Sequence, residues 1–476
     1  MKNYKFFAKT FAICLMILTL SSCTYYQPMP LTPEAIKQTL SVPPNDVIRI
    51  KISQFRHPIL KPIPFDYNNG LSPDEAAVLA VIYNPLLKAA RDARGIATAQ
   101  VLQAGILPNP QVSLSFETPI GQNASDKKNA LSIGLEWDIS SLAVRNANIA
   151  AAHYHATSID LEIAWQEWQV AEAAKLQVFR LFIAEKRFAL TKKIKCLAES
   201  LYKAVETGVN MGAETTKTLL TAWKIRQNAR QRFLQAQEEV ISERLALNKI
   251  LGLPSSKNIK LEKGIHLPTI KNIPPIQKLL KDVKKTRLDL LALRYGYKSQ
   301  EERLRAAIQS WFPKISLGLI GAQDTDGVKT IGIGINISFP IFDKGQGRIS
   351  FERATRQQLF DEYTARLFEA RANIVKIIEM LHSTHKQLQN LGREIFNLQQ
   401  LIKYYRKGVN QGNISIIEYY QVLLQKYAKE LQKLTLQRRL VDLAIGLEIA
   451  TGRYIFTGSK STEIMLKPYS NSEDSK

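Results

Sequence analysis

The residues best spaced for chemistry do not assemble into a reaction centre. His382 and His385 stand three apart, so they share one helix face, and that spacing can bind a metal ion. No cysteine or carboxylate cluster completes such a site. His385 also falls four residues after Leu381 and three before Leu388, on an apolar stripe, so packing is its expected role. His153 and His155 are two apart and do not share a face. Ser113 with Ser115 and Gly345 with Gly347 complete neither a nucleophile elbow nor a dinucleotide fingerprint. Trp165 and Trp168 are spaced for packing. The three cysteines exclude a disulfide scaffold. The sequence therefore reads as that of a non-enzyme with no metal site and no cofactor.

The 476 residues carry a net charge of +23, which raises nucleic acid as a partner. The N-terminus answers that. Lys2, Lys5 and Lys9 precede the apolar run Phe11–Leu20, which is too short to span a bilayer and has the build of a secretory signal peptide. Leu20-Ser21-Ser22-Cys23 resembles the lipobox of bacterial lipoproteins. The resemblance implies cleavage before Cys23 and lipid attachment there, palmitate included. Thr24, in place of Asp, favours the outer membrane of a Gram-negative cell. Removal of residues 1–22 takes three lysines and leaves +20, and a translocated protein meets no nucleic acid. Past the signal no apolar run of about 18 residues exists, so a polytopic α-helical membrane protein is excluded.

The elements that carry these residues are written twice. Gly208-Val209-Asn210-Met211-Gly212 recurs as Gly408-Val409-Asn410-Gln411-Gly412, 200 residues later. Leu131–Leu135 matches Ile331–Ile335 and Gly252 matches Gly452 at the same offset. The offset is 203 upstream, where Leu87 pairs with Leu290 and Pro110 with Pro313. The repeats run over 71–253 and 276–453, joined by a proline-bearing linker at 254–275. Residues 23–70 contain eight prolines and read as an extended, lipid-anchored segment, and 454–476 as a polar tail.

Each repeat reads helix, strand, turn, strand, very long helix, tight turn, helix. Ser72 caps a helix with Pro73 at its first position and Asp74 and Glu75 in its first turn. Helices are expected over 84–106, 142–207 and 213–252, then 287–311, 347–407 and 413–452. Leu388, Leu391, Ile395, Leu398 and Ile402 have coiled-coil spacing. Summed, the two shorter helices of a repeat nearly equal its long one, so they should stack end to end beside it. The glycine turns at 208–212 and 408–412 reverse the chain.

The strands alternate. Leu131, Ile133, Leu135, Trp137 and Ile139 face away from Ser132, Gly134, Glu136 and Asp138, and residues 331–339 repeat the pattern. Nine residues suit a transmembrane β-strand, apolar outward and polar inward. Four strands cannot close a barrel, and an open edge in lipid leaves backbone groups unsatisfied. Two copies would give eight strands around a filled interior, and three would give twelve around an aqueous lumen. The expected fold is mainly α, with a periplasmic coiled-coil α-barrel beneath a twelve-stranded trimeric β-barrel.

The chain resembles the outer membrane efflux protein family of TolC-like exit ducts over residues 71–455. The specific match is Phe339-Pro340-Ile341-Phe342-Asp343-Lys344-Gly345, which looks like the strand-to-helix passage of that family, with Pro340, Phe342, Asp343 and Gly345 as its marks. Asp138-Ile139-Ser140-Ser141-Leu142 in the first repeat lacks the proline and glycine. The resemblance implies a homotrimer in outer-membrane lipid, a periplasmic adaptor, an RND-type inner-membrane pump, and small drugs or metal ions as cargo. It places adaptor docking at Gly208, Val209, Asn210 and Gly212 and at Gly408, Val409, Asn410 and Gly412. It also places a constriction ring six and nine residues past the last glycine. Those positions are Glu418 and Gln421, with Thr218 and Thr221 in the first repeat, so only Glu418 keeps a charge. Asn84-Pro85 and Leu107–Leu114 resemble the heavy-metal efflux branch. A duct for type I protein secretion, and a coiled-coil scaffold lipoprotein without a pore, remain as alternatives.

Overall fold

The computed structural model describes residues 26–39, 41, 45–54, 57–60, 69–120, 124, 126–270 and 273–456. The signal, Cys23 and the tail after 456 lie outside the described residues. The chain divides into two units, 1–43 and 44–476. Helix α1 (Pro33–Thr39) belongs to the first. Everything below concerns the second.

Helix α2 (Asn45–Gln54) lies within the proline-rich segment expected to be extended. Its Ile48 and Ile52 are buried in the same core as α3 (Pro73–Tyr83), which gives this short stretch the apolar contact a lone helix lacks. Helix α3 starts as its sequence predicts. The Ser72 hydroxyl accepts from the Glu75 N–H at 3.2 Å, and the Glu75 carboxylate accepts from the Ser72 N–H at 2.9 Å. Helix α4 (Pro85–Gly105) follows at once, capped by the Asn84 side chain on the N–H groups of Leu86 and Leu87.

Strands β1 (Gln111–Glu117) and β2 (Ala130–Asp138) lead into α5 (Ser141–Asn210), whose 70 residues extend about 105 Å. Helix α6 (Thr216–Ile250) returns alongside it. Helices α7 (Ile276–Thr286) and α8 (Leu288–Gln309), strands β3 (Lys314–Gln323) and β4 (Lys329–Ser338), and helices α9 (Gln346–Asn410) and α10 (Ile416–Thr451) then follow.

The packing order explains the helix lengths. α4 and α6 both pack on α5, while α8 and α10 pack on both α5 and α9. Two long helices thus alternate with two end-to-end pairs, as the lengths require. α3 and α7 pack at the junctions of those pairs. At the first junction the Asn84 amide donates to the Ile250 carbonyl at 3.0 Å. At the second the Thr286 hydroxyl donates to the Thr451 carbonyl at 2.6 Å. Gly252 and Gly452 end α6 and α10 with φ of 66° and 67°. A Cβ on Gly452 would stand 2.7 Å from the Thr286 carbonyl oxygen, and one on Gly252 would strike the Tyr83 carbonyl oxygen.

The strands form one antiparallel sheet in the order β1-β2-β3-β4. Val112 pairs with Leu135, Leu135 with Leu319, and Leu319 with Ile333, so the alternating apolar sets share one face, and Ile320, paired with Gly134, falls on the other. Ser113, Ser115, Ser132, Gly134, Ser316, Gly318, Gly334 and Asn336 occupy the other.

Candidate functional site

The two helical turns have the same geometry. Both long helices continue past the first glycine to Asn210 and Asn410, three residues beyond the expected ends at 207 and 407. The left-handed residue is the last glycine, Gly212 at φ 74° and Gly412 at φ 75°, and the asparagines stay helical. Gly208 and Gly408 serve packing instead. A Cβ on Gly208 would come 2.8 Å from the Glu214 Cγ, and one on Gly408 would strike the Ile414 side chain. The chain closes each turn by donating from the Ala213 N–H to the Gly208 carbonyl at 2.8 Å and from the Asn413 N–H to the Gly408 carbonyl at 2.9 Å. Thr215 and Ser415 then cap the return helices. Val209 and Val409 are half-buried, while Asn210, Asn410, Gly212 and Gly412 are exposed. Glu418 lies exposed in the first turn of α10, where a carboxylate also suits the helix dipole.

The passage from β4 to α9 is a capped turn. The Gly345 N–H donates to the Asp343 carboxylate at 2.8 Å, and Gly345 takes φ 74° as the N-cap. Pro340 is half-buried, but Phe342 is 92% exposed. The corresponding passage after β2 lacks proline and glycine yet keeps the device. There the Asp138 carboxylate accepts from the Ser140 N–H at 2.9 Å and from its hydroxyl at 2.5 Å. The Asp-x-Ser pattern carries that signal in the sequence.

His382 and His385 are both exposed, and the Gln389 amide lies 2.9 Å from the His385 Nε2. The expected packing role of His385 is corrected. Thr384 is the buried residue between Leu381 and Leu391, because the stripe turns through position 384. Trp165 and Trp168 are buried, as their spacing predicts. Among the described residues no cluster of three or more metal-ligating side chains exists.

A buried charge cluster sits where α3, α5 and α10 meet. The Lys175 ammonium is 3.2 Å from both Glu172 and Asp74, and it lies 4.0 Å from the Tyr454 ring centroid. Tyr454 meets Trp168 edge-on at 4.9 Å. Glu448 accepts the N–H groups of Ile455 and Phe456 at 2.9 and 2.8 Å, which ties the chain after α10 to this point. Burial raises the Glu172 carboxyl to about 8, with Lys175 opposing and Glu448 adding to the rise. Burial likewise raises the Tyr454 phenol. Burial works against the Lys175 charge, and the acidic groups around it, Glu172, Tyr454, Glu448 and Asp74, outweigh burial and raise its pKa. Glu172 and Lys175 at i, i+3 within the Ala171-Ala174-Val178 stripe are visible in the sequence, but their depth is not.

His57 is fixed in the neutral state. Its Nε2 is 3.0 Å from the Ala164 carbonyl, and its Nδ1 accepts from the N–H groups of Ile59 and Leu60 at 3.0 Å each. Burial holds its pKa below the ordinary value.

A sheet with one apolar face beside a layer of paired long helices is the arrangement seen in solved outer membrane channels. The VceC outer membrane protein of Vibrio cholerae has this fold at a TM-score of 0.64, with 16% identity over 80% of this chain and 96% of that one. The MtrE outer membrane channel of Neisseria gonorrhoeae matches at 0.66, with 14% identity over 84% and 98%. CusC matches at 0.65, with 17% identity over 84% and 98%. No curated protein matches in sequence. Residues 279–453 match the family model described as outer membrane efflux protein.

Proposed function

We propose that three copies of this chain close into one channel, the exit duct of a tripartite efflux system in a Gram-negative outer membrane. The carrying observation is a sheet left open on both sides. Among the described residues β1 and β4 each pair on one side only, and the apolar face (Leu114, Ile133, Leu319, Ile333 and their neighbours) is exposed. In lipid each unpaired backbone group costs several kcal/mol, so the edges must meet other edges. The helical layer is open in the same way. Phe360 and Phe368 lie exposed on α9, and Leu234 and Ile241 on α6.

Three copies join β1 to β4 around twelve strands, with the serine and glycine face turned to water. Trp311 and Phe312 just before β3 and Phe339 and Phe342 just after β4 flank the paired ends Lys314 and Ser338, and all four are exposed, as residues of an interfacial aromatic belt are. In this reading each repeat, 71–253 and 276–453, supplies two strands. Cys23 carries the lipid, and the turns at 208–212 and 408–412 meet a periplasmic adaptor fed by an RND-type pump. Three copies of Glu418 ring the periplasmic mouth, and the cargo is small drugs or metal ions. Native mass spectrometry of the detergent-extracted chain tests the stoichiometry. Three copies per particle are expected, and a stable monomer or dimer as the largest species contradicts the reading.

A further inference from the structure

The net charge is not spread evenly. Residues 254–287 hold nine lysines and arginines against two carboxylates. Much of that charge is on α7. Leu279 and Val283 bury one face of this helix, against Ile374 and Ile378 of α9 and Leu447 of α10, so the opposite face is held firmly outward. That face carries Lys278, Lys281, Lys284 and Lys285, all exposed. The single acid of α7, Asp282, is taken by Arg453 at 3.3 Å. Among the described residues no carboxylate stands within ion-pair distance of the four lysines or of Arg371. Between α7 and α9 lies a hollow of about 400 Å³ lined by Gln277, Leu280, Lys281, Lys284 and Arg371.

We propose that this hollow and the lysine row beside it bind a linear, carboxylate-bearing polymer of the cell envelope. Lys278, Lys281 and Lys285 follow one another at steps of about 4.5 and 6 Å along the helix axis, a row that suits repeated charges and not a single small ion. Arg371 presents a planar fork to a carboxylate inside the hollow. Leu280 and the Gln277 amide line the same wall and suit the uncharged groups between carboxylates. Height selects the source of the anion. The 22 residues of α8 separate α7 from β3 by about 33 Å, beyond the reach of lipid headgroups at the sheet. That step rests on the channel reading, whereas the chemistry of the hollow does not.

The test uses the full-length chain in detergent and fluorescein-labelled poly-L-glutamate, read by anisotropy. Binding that weakens with added salt is expected, as is a loss of at least about tenfold in affinity for K281E/K284E/R371E. The milder K281Q/K284Q/R371Q is expected to lose affinity in the same direction, with an unchanged melting temperature. K192E/K193E/K203E, which reverses three exposed lysines of α5, is expected to leave binding unchanged. An equal loss in that control shows only diffuse attraction and overturns the proposal. Equal displacement by inorganic phosphate at matched ionic strength overturns it too, and so does α7-dependent binding to phosphatidylglycerol vesicles. Conductance of K281E/K284E/R371E in a planar bilayer separates this site from the channel reading, because the pore is expected to conduct normally.

Discussion

At the scale of single residues, Gly252 and Gly452 are required by contact as well as by conformation. An alanine at either must adopt a left-handed φ and also push back the last carbonyl of the helix at its junction, Tyr83 of α3 or Thr286 of α7. Gly452→Ala is expected to cost roughly 2–3 kcal/mol, and Gly212→Ala, with the same φ and nothing within 4 Å, about 1 kcal/mol. The difference between the two in chemical denaturation measures the junction contact, and equal losses would show that the contact carries no energy. Glu172 gives a pH dependence of definite sign. Its folded pKa of about 8 lies above the ordinary 4.5, so the native state holds a proton that the unfolded chain has released. Stability from this group is full below pH 4.5, falls as pH rises and is lost by about pH 8. Glu172→Gln is expected to flatten the fall in melting temperature across that window, and an unchanged slope would remove Glu172 as its source. Glu418 is exposed at the mouth of the proposed duct. Glu418→Ala is expected to raise leak conductance and lower its cation dependence, and identical currents would end its gate role.

At the scale of elements, the two faces of the sheet are expected to respond in opposite ways. Ile333→Arg puts a charge at the middle of the apolar face, at a cost of about 2–4 kcal/mol if that face meets lipid. It should reduce folding into vesicles, read by heat-modifiable gel mobility. Ser132→Arg on the polar face should fold normally and narrow the pore. Equal behaviour of the two would mean that the sheet does not divide lipid from water. The alternation that supports this was open in the sequence, because a strand period of two leaves each side chain one choice of face. The helix lengths were open in the same way, and the stacking followed from them. Less was legible where tertiary contact decides. Helix α2 forms among prolines because Ile48 and Ile52 find a core. Gly208 lies inside the helix, where its missing Cβ leaves room for the Glu214 side chain. The Asn84-Pro85 pair, read as a family mark, has a local cause: the asparagine caps α4 and bonds the end of α6.

At the scale of the whole molecule, the proposed channel uses the open strand edges and the exposed flanks of α6 and α9 in the same way, as contacts between copies of the chain. Residues 254–287 carry nine basic residues against two acids, a net +7 of the total +23 on 34 of 476 residues, and the candidate site residues lie at the turns and passages instead of one cleft. Phe368→Asp on the α9 flank is expected to shift the detergent-extracted particle toward monomer, read by light scattering, and an unchanged mass would show that this flank is not an interface. The most direct test of the central claim is single-channel recording of the purified chain in a planar bilayer. Discrete conductance steps that Ser132→Arg reduces are the predicted result. A silent bilayer after confirmed insertion, or steps indifferent to the polar face of the sheet, would contradict it.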